Sequence, residues 1–285
     1  MHNILFTGGS GFIGSNILNN IQHKNKIYLI QRKESKKIVL KFKNIKIIKF
    51  NNYKILASKL KKLKVNTVIH CATHYKKNHN QDDIEKFARS NILLGNIILE
   101  NIKNMKVKKF INFTTTWENE DGILSNPKNL YAAYKNGFNC LLQFYKKIYP
   151  STKFIDLILV DTFGYNDKRK KIINTLKSNY RKNKITKIIS KDLNLNLINV
   201  EDIVSAVDII LKKNIKSGRY ILKNSKFINI FNLIKYINKN SHKKIKIKWL
   251  SNIKIKDKFL KYKKLKSWKP KKSNISNIKN LILNN

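Results

Sequence analysis

The chain is poor in the residues that staple, kink or break structure. It has two cysteines, three prolines and nine glycines in 285 residues. Cys71 and Cys140 are too few for a disulfide framework and lack metal-ligand spacing, so a reduced, cytoplasmic setting and no metal site are expected. No Gly/Ser-rich or Pro-rich linker and no repeat of 20 to 50 residues divides the chain. No apolar run approaches the roughly 18 residues of a membrane span. The opening Asn3-Ile4-Leu5-Phe6 reads as a strand rather than a signal peptide, and no membrane insertion is expected. Acidic residues are scarce as well, 16 against 61 Lys and Arg, which leaves a net charge of +45.

That charge alone would suggest nucleic acid as a partner. Its distribution argues otherwise. There are 56 lysines against five arginines, spread along the whole chain among Asn and Ile. A nucleic-acid site concentrates charge on one face and favours Arg for bidentate contacts. The excess reads as the residue usage of an AT-rich genome on solvated positions, and no specific nucleic-acid partner is expected. An apolar content of 42% is ordinary for a globular chain long enough to bury a large core.

Short β-rich runs alternate with helical stretches through the first two thirds. Predicted strands are Asn3–Phe6, Lys26–Gln31, Ile45–Phe50, Thr67–Cys71, Lys109–Thr114 and Phe154–Leu159. Predicted helices are Gly11–Ile21, Asn52–Leu63, Asp82–Ile102 and Leu130–Ile148. This alternation argues for βαβ units and an α/β fold with a doubly wound parallel sheet covered on both faces. Beyond Asp161 the pattern loosens into what reads as a smaller substrate-covering part, ending in the Lys-rich stretch Lys254–Lys272.

Gly8-x-x-Gly11-x-x-Gly14 follows the first predicted strand and opens the first predicted helix. Glycine there permits a tight turn, backbone approach to a pyrophosphate and close helix–strand packing, with the phosphates on the helix N-terminus. Four of the nine glycines fall within these seven positions. The expected cofactor is a nicotinamide dinucleotide. The second strand runs into Arg32-Lys33, and the first acid of the chain is Glu34. Arg at that strand end suits a 2′-phosphate, whereas an acid suits free ribose hydroxyls, so NADP(H) is favoured over NAD(H).

Tyr131 and Lys135 stand four residues apart on one face of a predicted helix. A neighbouring cation favours the phenolate and suits Tyr to proton transfer. Tyr-x-x-x-Lys occurs four times, at Tyr131, Tyr149, Tyr180 and Tyr262. Only Tyr131 begins a long apolar helix just after a strand rich in hydroxyls, Phe110-Ile111-Asn112-Phe113-Thr114-Thr115-Thr116-Trp117. A Thr at the carboxyl end of a parallel strand lies where such sheets bind ligands and can donate to the same carbonyl oxygen.

With these pieces in order, the chain resembles the extended short-chain dehydrogenase/reductase family, the NAD(P)-dependent nucleotide-sugar epimerases, dehydratases and reductases. Val68-Ile69-His70-Cys71-Ala72-Thr73 looks like the family's fourth strand. Asn91-Ile92-Leu93-Leu94-Gly95-Asn96 looks like its Asn-x-x-Gly-Thr helix, with Asn96 in place of Thr. Val200-Glu201-Asp202-Ile203 resembles its Val-Asp-Asp-Val, and Trp268-Lys269-Pro270 its Trp-x-Pro. A closer likeness is to the CDP-abequose and CDP-paratose synthases. It rests on Phe110-Ile111-Asn112-x-x-Thr115-x-Trp117, on Asn129-Leu130-Tyr131-Ala132-Ala133-x-Lys135 and on Asp161-Thr162-Phe163-Gly164-Tyr165-Asn166-Asp167.

The resemblance implies a Rossmann domain over residues 1–160 and a smaller C-terminal substrate-binding part over 161–285, with 195–211 packing back onto the Rossmann domain. It implies Tyr131 as acid/base, Lys135 tuning it and holding the nicotinamide ribose, and Thr115 polarising the oxygen. Cofactor contacts fall on Gly8, Ser10, Gly11, Phe12, Ile13, Gly14, Arg32, Ala72, Thr73, Asn91 and Lys135. Substrate contacts fall on Thr116 (also the one-residue alternative to Thr115), Trp117 and Asp161. His74, Tyr75 and His79 read as rim residues. A homodimer through Asp82–Ile102 and Leu130–Ile148 is implied.

Departures narrow the chemistry. The 4,6-dehydratases follow their Thr with Asp-Glu, here Thr116-Trp117. GDP-fucose synthase-like enzymes carry a Cys where this chain has Trp117. Tyr165 replaces a common Pro, and Leu195-Asn196 an Arg-Asp. The leading expectation is reduction of a 4-keto nucleotide sugar for surface-polysaccharide sugar synthesis. A 4-epimerase with retained NAD and a non-catalytic dinucleotide sensor are the alternatives.

Overall fold

A computed structural model describes residues 2–33 and 44–284; Glu34 lies outside them. Apolar runs with no polar face become buried strands. Examples are β1 (Asn3–Thr7), β4 (Thr67–His70) and β5 (Lys109–Thr115), in which nearly every residue is buried. That is the signature of a sheet covered on both sides. With β2 (Lys26–Arg32), β3 (Ile45–Phe50), β6 (Lys153–Leu159) and two later strands, Gly218–Leu222 and Lys263–Lys264, they form one eight-stranded sheet. From one edge it runs Lys263–Lys264, Gly218–Leu222, β6, β5, β4, β1, β2, β3. The pairings β1–β2, β2–β3, β1–β4 and β4–β5 are parallel. The order reverses between β1 and β4, and ligands of open α/β sheets bind at the carboxyl ends beside such a switch point.

The helices α1 (Phe12–Ile21), α2 (Tyr53–Lys61) and α6 (Leu130–Ile148) match the expected ones to within two residues. Asn52 caps α2 through Lys54 N (2.7 Å), and Asn129 caps α6 through Ala132 N (3.0 Å). Lys146 and Lys147 in the last turn of α6 complement its dipole. The predicted helix Asp82–Ile102 is not one helix. It is α3 (Asp82–Phe87), a π-helix over Ala88–Leu93, α4 (Leu94–Glu100) and α5 (Ile102–Met105). The wide turn coincides with Asn91, whose amide is drawn into bonds with the His74 backbone. The break at Asn101 coincides with its side chain taking the Ile97 carbonyl (2.8 Å).

The chain divides into two compact units. The first is Met1–Ile158, Val207–Ile221 and Phe259–Lys264; the second is Leu159–Ala206, Leu222–Lys258 and Leu265–Asn285. Residues 195–211, expected to pack back onto the Rossmann domain, are divided between the two units. Leu195–Ala206 belongs to the second unit, and the returning stretch starts at Val207 and continues to Ile221. The cause lies at both ends of the helix Val200–Lys212. Its first turn is held by second-unit residues: Asp202 accepts from Lys271 N (2.7 Å), Lys272 N (3.0 Å) and Ser273 Oγ (2.5 Å), and its carbonyl accepts from Trp268 Nε1 (2.9 Å). The two C-terminal motifs of the family pattern thus meet. At the other end Lys109 Nζ caps the carbonyls of Ile210 and Lys213, and Gly218–Leu222 then joins the main sheet.

The second unit has its own core, including Phe163, Leu176, Leu197, Leu233 and Ile278. Short strands surround it, such as Asp161–Phe163 paired in parallel with Leu197–Asn199. Among the described residues no helix is long and apolar enough to cross a membrane, and no group of three His, Cys, Asp or Glu is placed to hold a metal ion.

Two helical glycines give a test of opposite sign. A Cβ on Gly14 would lie 2.1 Å from the Gly8 carbonyl oxygen, whereas one on Gly137 meets nothing nearer than Ile92 Cδ1 at 3.8 Å. Chemical denaturation should show Gly137→Ala gaining about 0.5–1 kcal/mol from helix propensity and reduced unfolded-state entropy. Gly14→Ala should lose more than about 2 kcal/mol, because backbone must move.

Candidate active site

The glycine turn is built by close backbone approach. Gly8 has φ of 76°, and a Cβ there would stand 2.5 Å from Cys71 C and Ala72 N at the end of β4. Gly11 N donates to Gly8 O (3.0 Å), and Gly11 is the N-cap of α1 with neither a side-chain cap nor an acid in the first turn. Ser10 and Gly11 are exposed, and Phe12 and Ile13 are half-buried. An uncapped helix start with exposed small residues at a switch point is a seat for phosphates. The residues present fit a dinucleotide.

The strand end beside the turn is braced in turn. Thr7 Oγ1 accepts from Ala72 N (3.1 Å) and lies 2.9 Å from His70 Nδ1. Burial, with the Lys135 charge nearby, pushes His70 down to about 3, so it is neutral. Asn91 accepts from His74 N (2.6 Å) and Thr73 Oγ1 (3.2 Å) and donates to His74 O (3.1 Å). Its amide holds the loop after β4, which carries the expected cofactor contacts Ala72 and Thr73. Arg32 sits at the end of β2, exposed and opposite Phe50 of β3.

On the other side of the switch point, Lys135 is buried with 4% of its surface exposed and donates from Nζ to the Phe113 carbonyl (2.8 Å). This bond ties the first turns of α6 to the end of β5, two residues before Thr115. Tyr131 lies one turn earlier on the same face of α6. Thr115 is half-exposed and ends the strand; its Oγ1 accepts from Trp117 N (3.2 Å). Thr116 is buried. The Tyr131 ring meets Tyr75 edge-on at 5.0 Å between centroids, and Tyr75 meets Trp117 at 6.2 Å. Lys128 lies over the Trp117 ring at 5.8 Å, and its backbone N–H donates to Trp117 O (2.9 Å). Tyr75, read from sequence as a rim residue, is therefore part of an aromatic wall with the proposed acid/base. His74 Nε2 lies 2.9 Å from Asp83 Oδ1.

Across β5, β6 and the strand Gly218–Leu222 lies a charge cluster that sequence reasoning missed. Arg219 donates to Glu118 Oε2 (2.5 Å) and to Asp156 Oδ2 (2.9 Å), while Asn112 Nδ2 donates to Asp156 Oδ1 (2.7 Å). The Glu118 side chain is fully buried, and its Oε1 has no hydrogen-bond partner among the described residues. Desolvation, then repulsion by Asp156, raises Glu118 to about 7 against the pull of Arg219 and Lys135. Desolvation also lowers Lys135, opposed by the negative charge of Glu118 and Asp156. A weak signal existed: Glu118 is one of 16 acids and Arg219 one of five arginines. Their contact spans 101 residues of sequence, beyond the reach of local patterns.

Asp161, expected as a substrate contact, lies in the second unit and pairs with Lys171 Nζ at 2.6 Å. Nearby, Arg169 grips Asp167 through Nε (2.8 Å) and Nη2 (2.7 Å) and reaches Thr162 Oγ1 (2.7 Å).

Known proteins resemble this chain in sequence and in fold. The model of the NAD dependent epimerase/dehydratase family matches residues 4–222. A dTDP-D-glucose 4,6-dehydratase of Dictyostelium discoideum is 32% identical over 252 residues, which cover 74% of this chain and 55% of that protein. The chain thus spans about half the length of that relative. A CDP-abequose synthase of Yersinia pseudotuberculosis is 28% identical over 219 residues, covering 76% of this chain and 75% of the other. Among solved structures, UDP-N-acetylglucosamine 4-epimerase of Methanobrevibacter ruminantium superposes with a TM-score of 0.81 at 21% identity, covering 99% and 97% of the two chains.

The buried acid makes a pH prediction. Glu118 titrates at about 7 when folded and at 4.5 unperturbed, so between those values the folded chain holds a proton that the unfolded chain has lost. Its contribution to stability is complete below pH 4.5 and declines as pH rises through about 7. Glu118→Gln lacks that decline. Denaturant titrations at pH 4.5 and 7.5 should show the variant gaining on wild type at the higher pH.

Proposed function

The chain belongs to the NAD dependent epimerase/dehydratase family, and we propose that within it the chain is an NADP(H)-dependent reductase of a 4-keto nucleotide sugar. The observation that carries this reading is what surrounds Thr115. A hydroxyl, a phenol and a buried ammonium belong to two elements joined by the Lys135–Phe113 bond, which is what carbonyl reduction needs. The acid/base carboxylates that dehydration needs are missing, since Thr116 and Trp117 follow Thr115 and the nearest acid in sequence, Glu118, is buried and held by Arg219. The likeness to two CDP-abequose synthases supports a deoxysugar substrate.

The bound dinucleotide supplies the hydride. The chain's own residues do the rest. Tyr131 gives its phenolic proton to the carbonyl oxygen as that oxygen gains charge, and Thr115 donates to the same oxygen. The Lys135 ammonium stabilises the phenolate left on Tyr131 and holds the nicotinamide ribose. Tyr75 and Trp117 cover the sugar with aromatic surface, which favours a ring with few hydroxyls to desolvate. Asp161 is read as a sugar contact. Arg32 receives the 2′-phosphate of NADP(H), and Gly8 to Gly14 with Ala72, Thr73 and the Asn91 brace hold the rest. A homodimer through α3–α4 and α6 is supported by the exposed apolar side chains Ile84, Leu93, Phe144 and Ile148 on those elements.

Oxidation of CDP-abequose by NADP⁺, followed as nicotinamide absorbance, tests the reading in reverse. Tyr131→Phe should lower kcat by at least about a thousandfold while leaving NADPH binding intact. Arg32→Asp should weaken NADPH by about 10- to 100-fold, the worth of a charge-assisted phosphate contact, and spare NADH. Mass spectrometry of ligand released from purified protein separates the neighbouring activity: retained NAD would identify a 4-epimerase instead.

A further inference from the structure

The loop after β4, residues 71–81, contains no helix or strand, yet it is tied down at several points. Asn91 holds the backbone of His74 at both its N–H and its carbonyl. Asn129 Nδ2, at the start of α6, donates to Lys77 O (3.3 Å). The third anchor is Asp83 in the first turn of α3. Its carboxylate is buried, with the residue 2% exposed, and three loop residues converge on it. His74 Nε2 lies 2.9 Å from Oδ1, while Oδ2 accepts from Asn80 N (3.3 Å) and pairs with Lys76 Nζ at 3.7 Å.

The bond to Asn80 N is what an acid near the start of a helix does for its own cap. That task uses one oxygen, and the other is given to His74, nine residues earlier. The His74 bond is the main reason the Asp83 carboxyl is held below its ordinary range. A carboxylate can only accept, so His74 Nε2 is the donor. The His74 ring also meets Phe87 edge-on at 4.9 Å between centroids, and Phe87 stacks on Tyr134 at 5.3 Å. Tyr134 is three residues beyond Tyr131 on α6, so the His74 side chain is located against the helix that carries the acid/base.

His74 and Lys76 flank Tyr75, so Tyr75 stands on a segment gripped on both sides by one carboxylate. The exposed Lys76 adds little by itself; the buried grip is on His74. The Tyr75 ring stands edge-on to Tyr131 at 5.0 Å and lies 6.2 Å from Trp117. Tyr75 thus reaches the proposed acid/base from a loop without regular structure, and its place there depends on the anchors.

We propose that His74, gripped by Asp83, is a positioning residue for the sugar side of the active site: it fixes Tyr75 against Tyr131, so that the aromatic wall stands formed before substrate arrives. The inference rests on the sugar-covering role given above to Tyr75. A wall ordered in advance spares the substrate the cost of ordering it on binding. The dinucleotide side of the loop has its own brace, since Asn91 also accepts from Thr73 Oγ1 (3.2 Å).

The test is steady-state oxidation of CDP-abequose by NADP⁺, with NADPH affinity read separately from the fluorescence of the bound nicotinamide. His74→Leu removes the donor and leaves Asp83 its bond to Asn80. It should raise KM for the sugar nucleotide by about 3- to 10-fold, the cost of ordering one large side chain on binding. Both kcat and NADPH affinity should stay within about twofold of wild type. His74→Gln, with an N–H donor at similar reach, should restore most of the KM. Tyr75→Ala should raise KM at least as much, and adding His74→Leu to it should cost nothing further, because His74 acts through Tyr75. If His74→Leu does not fold, Asp83→Asn, which neutralises the grip and keeps its size, takes its place in the same cycle. A merely structural role predicts the same KM change in both backgrounds, or NADPH weakened by the same factor. Either result, an unchanged KM, or a Gln variant as impaired as the Leu variant overturns the inference. A substrate-free arm separates it from the proposed function. Nitration of Tyr75 by tetranitromethane, mapped by peptide mass spectrometry, should be at least about twofold faster in His74→Leu as the loop loosens. Wild type that leaves CDP-abequose untouched overturns the proposed substrate, whereas an unchanged nitration rate overturns the positioning of Tyr75 whatever the substrate.

Discussion

The hydrogen bond from Lys135 Nζ to the Phe113 carbonyl fixes the relation between helix α6 and the end of strand β5. Tyr131 is carried on the helix and Thr115 on the strand, so the register of the proton donor against the hydroxyl follows from one contact. Asn129 adds to it by starting the helix at Leu130, which sets how many residues separate the cap from Lys135. The glycine turn obeys a similar economy. Gly8 and Gly14 are small because Cys71, Ala72 and the Gly8 carbonyl occupy the space a side chain would need, and that crowding lays the start of α1 against the sheet.

Local signals made much of this legible. The six early strands fall within a residue or two of their expected positions because buried parallel strands write continuous apolar runs. The glycine spacing and Tyr131–Lys135 were readable because their geometry repeats over four to seven residues. What escaped was non-local or polar. The π-turn came from a hydrogen bond between Asn91 and a loop 17 residues earlier, and hydropathy carries no trace of it. The returning stretch Val207–Ile221 depends on carbonyls capped by Lys109, about a hundred residues away. The buried cluster joins Glu118, Asp156 and Arg219 across three elements. Asn91, read as a cofactor contact, bonds in the structure to the His74 backbone and to the Thr73 hydroxyl.

The composition conceals a division of labour between the two basic residue types. Lysine supplies most of the charge and mostly sits in solvent. Arginine is rare, yet Arg219 and Arg169 each bind a fully buried carboxylate side chain, Glu118 and Asp167. A planar fork with fixed donors can satisfy two oxygens where a flexible ammonium cannot. In a chain where lysine is the default, these two arginines therefore mark places where geometry, not charge alone, is being selected.

The wide turn at Ala88–Leu93 has a consequence for how this helix tolerates changes in length. Each α-helical residue advances the face by about 100°, so one residue added or deleted in an ordinary helix rotates everything beyond it out of phase. A π-turn already stores one such residue. Losing a residue there would return the segment to α-helical winding while Leu94, Gly95 and Ile98 keep their angular phase against the sheet. Asn91 alone would swing away from the loop after β4. Across homologues, a one-residue gap confined to this segment would thus mark a change in how that loop is braced while the surrounding core stays in register.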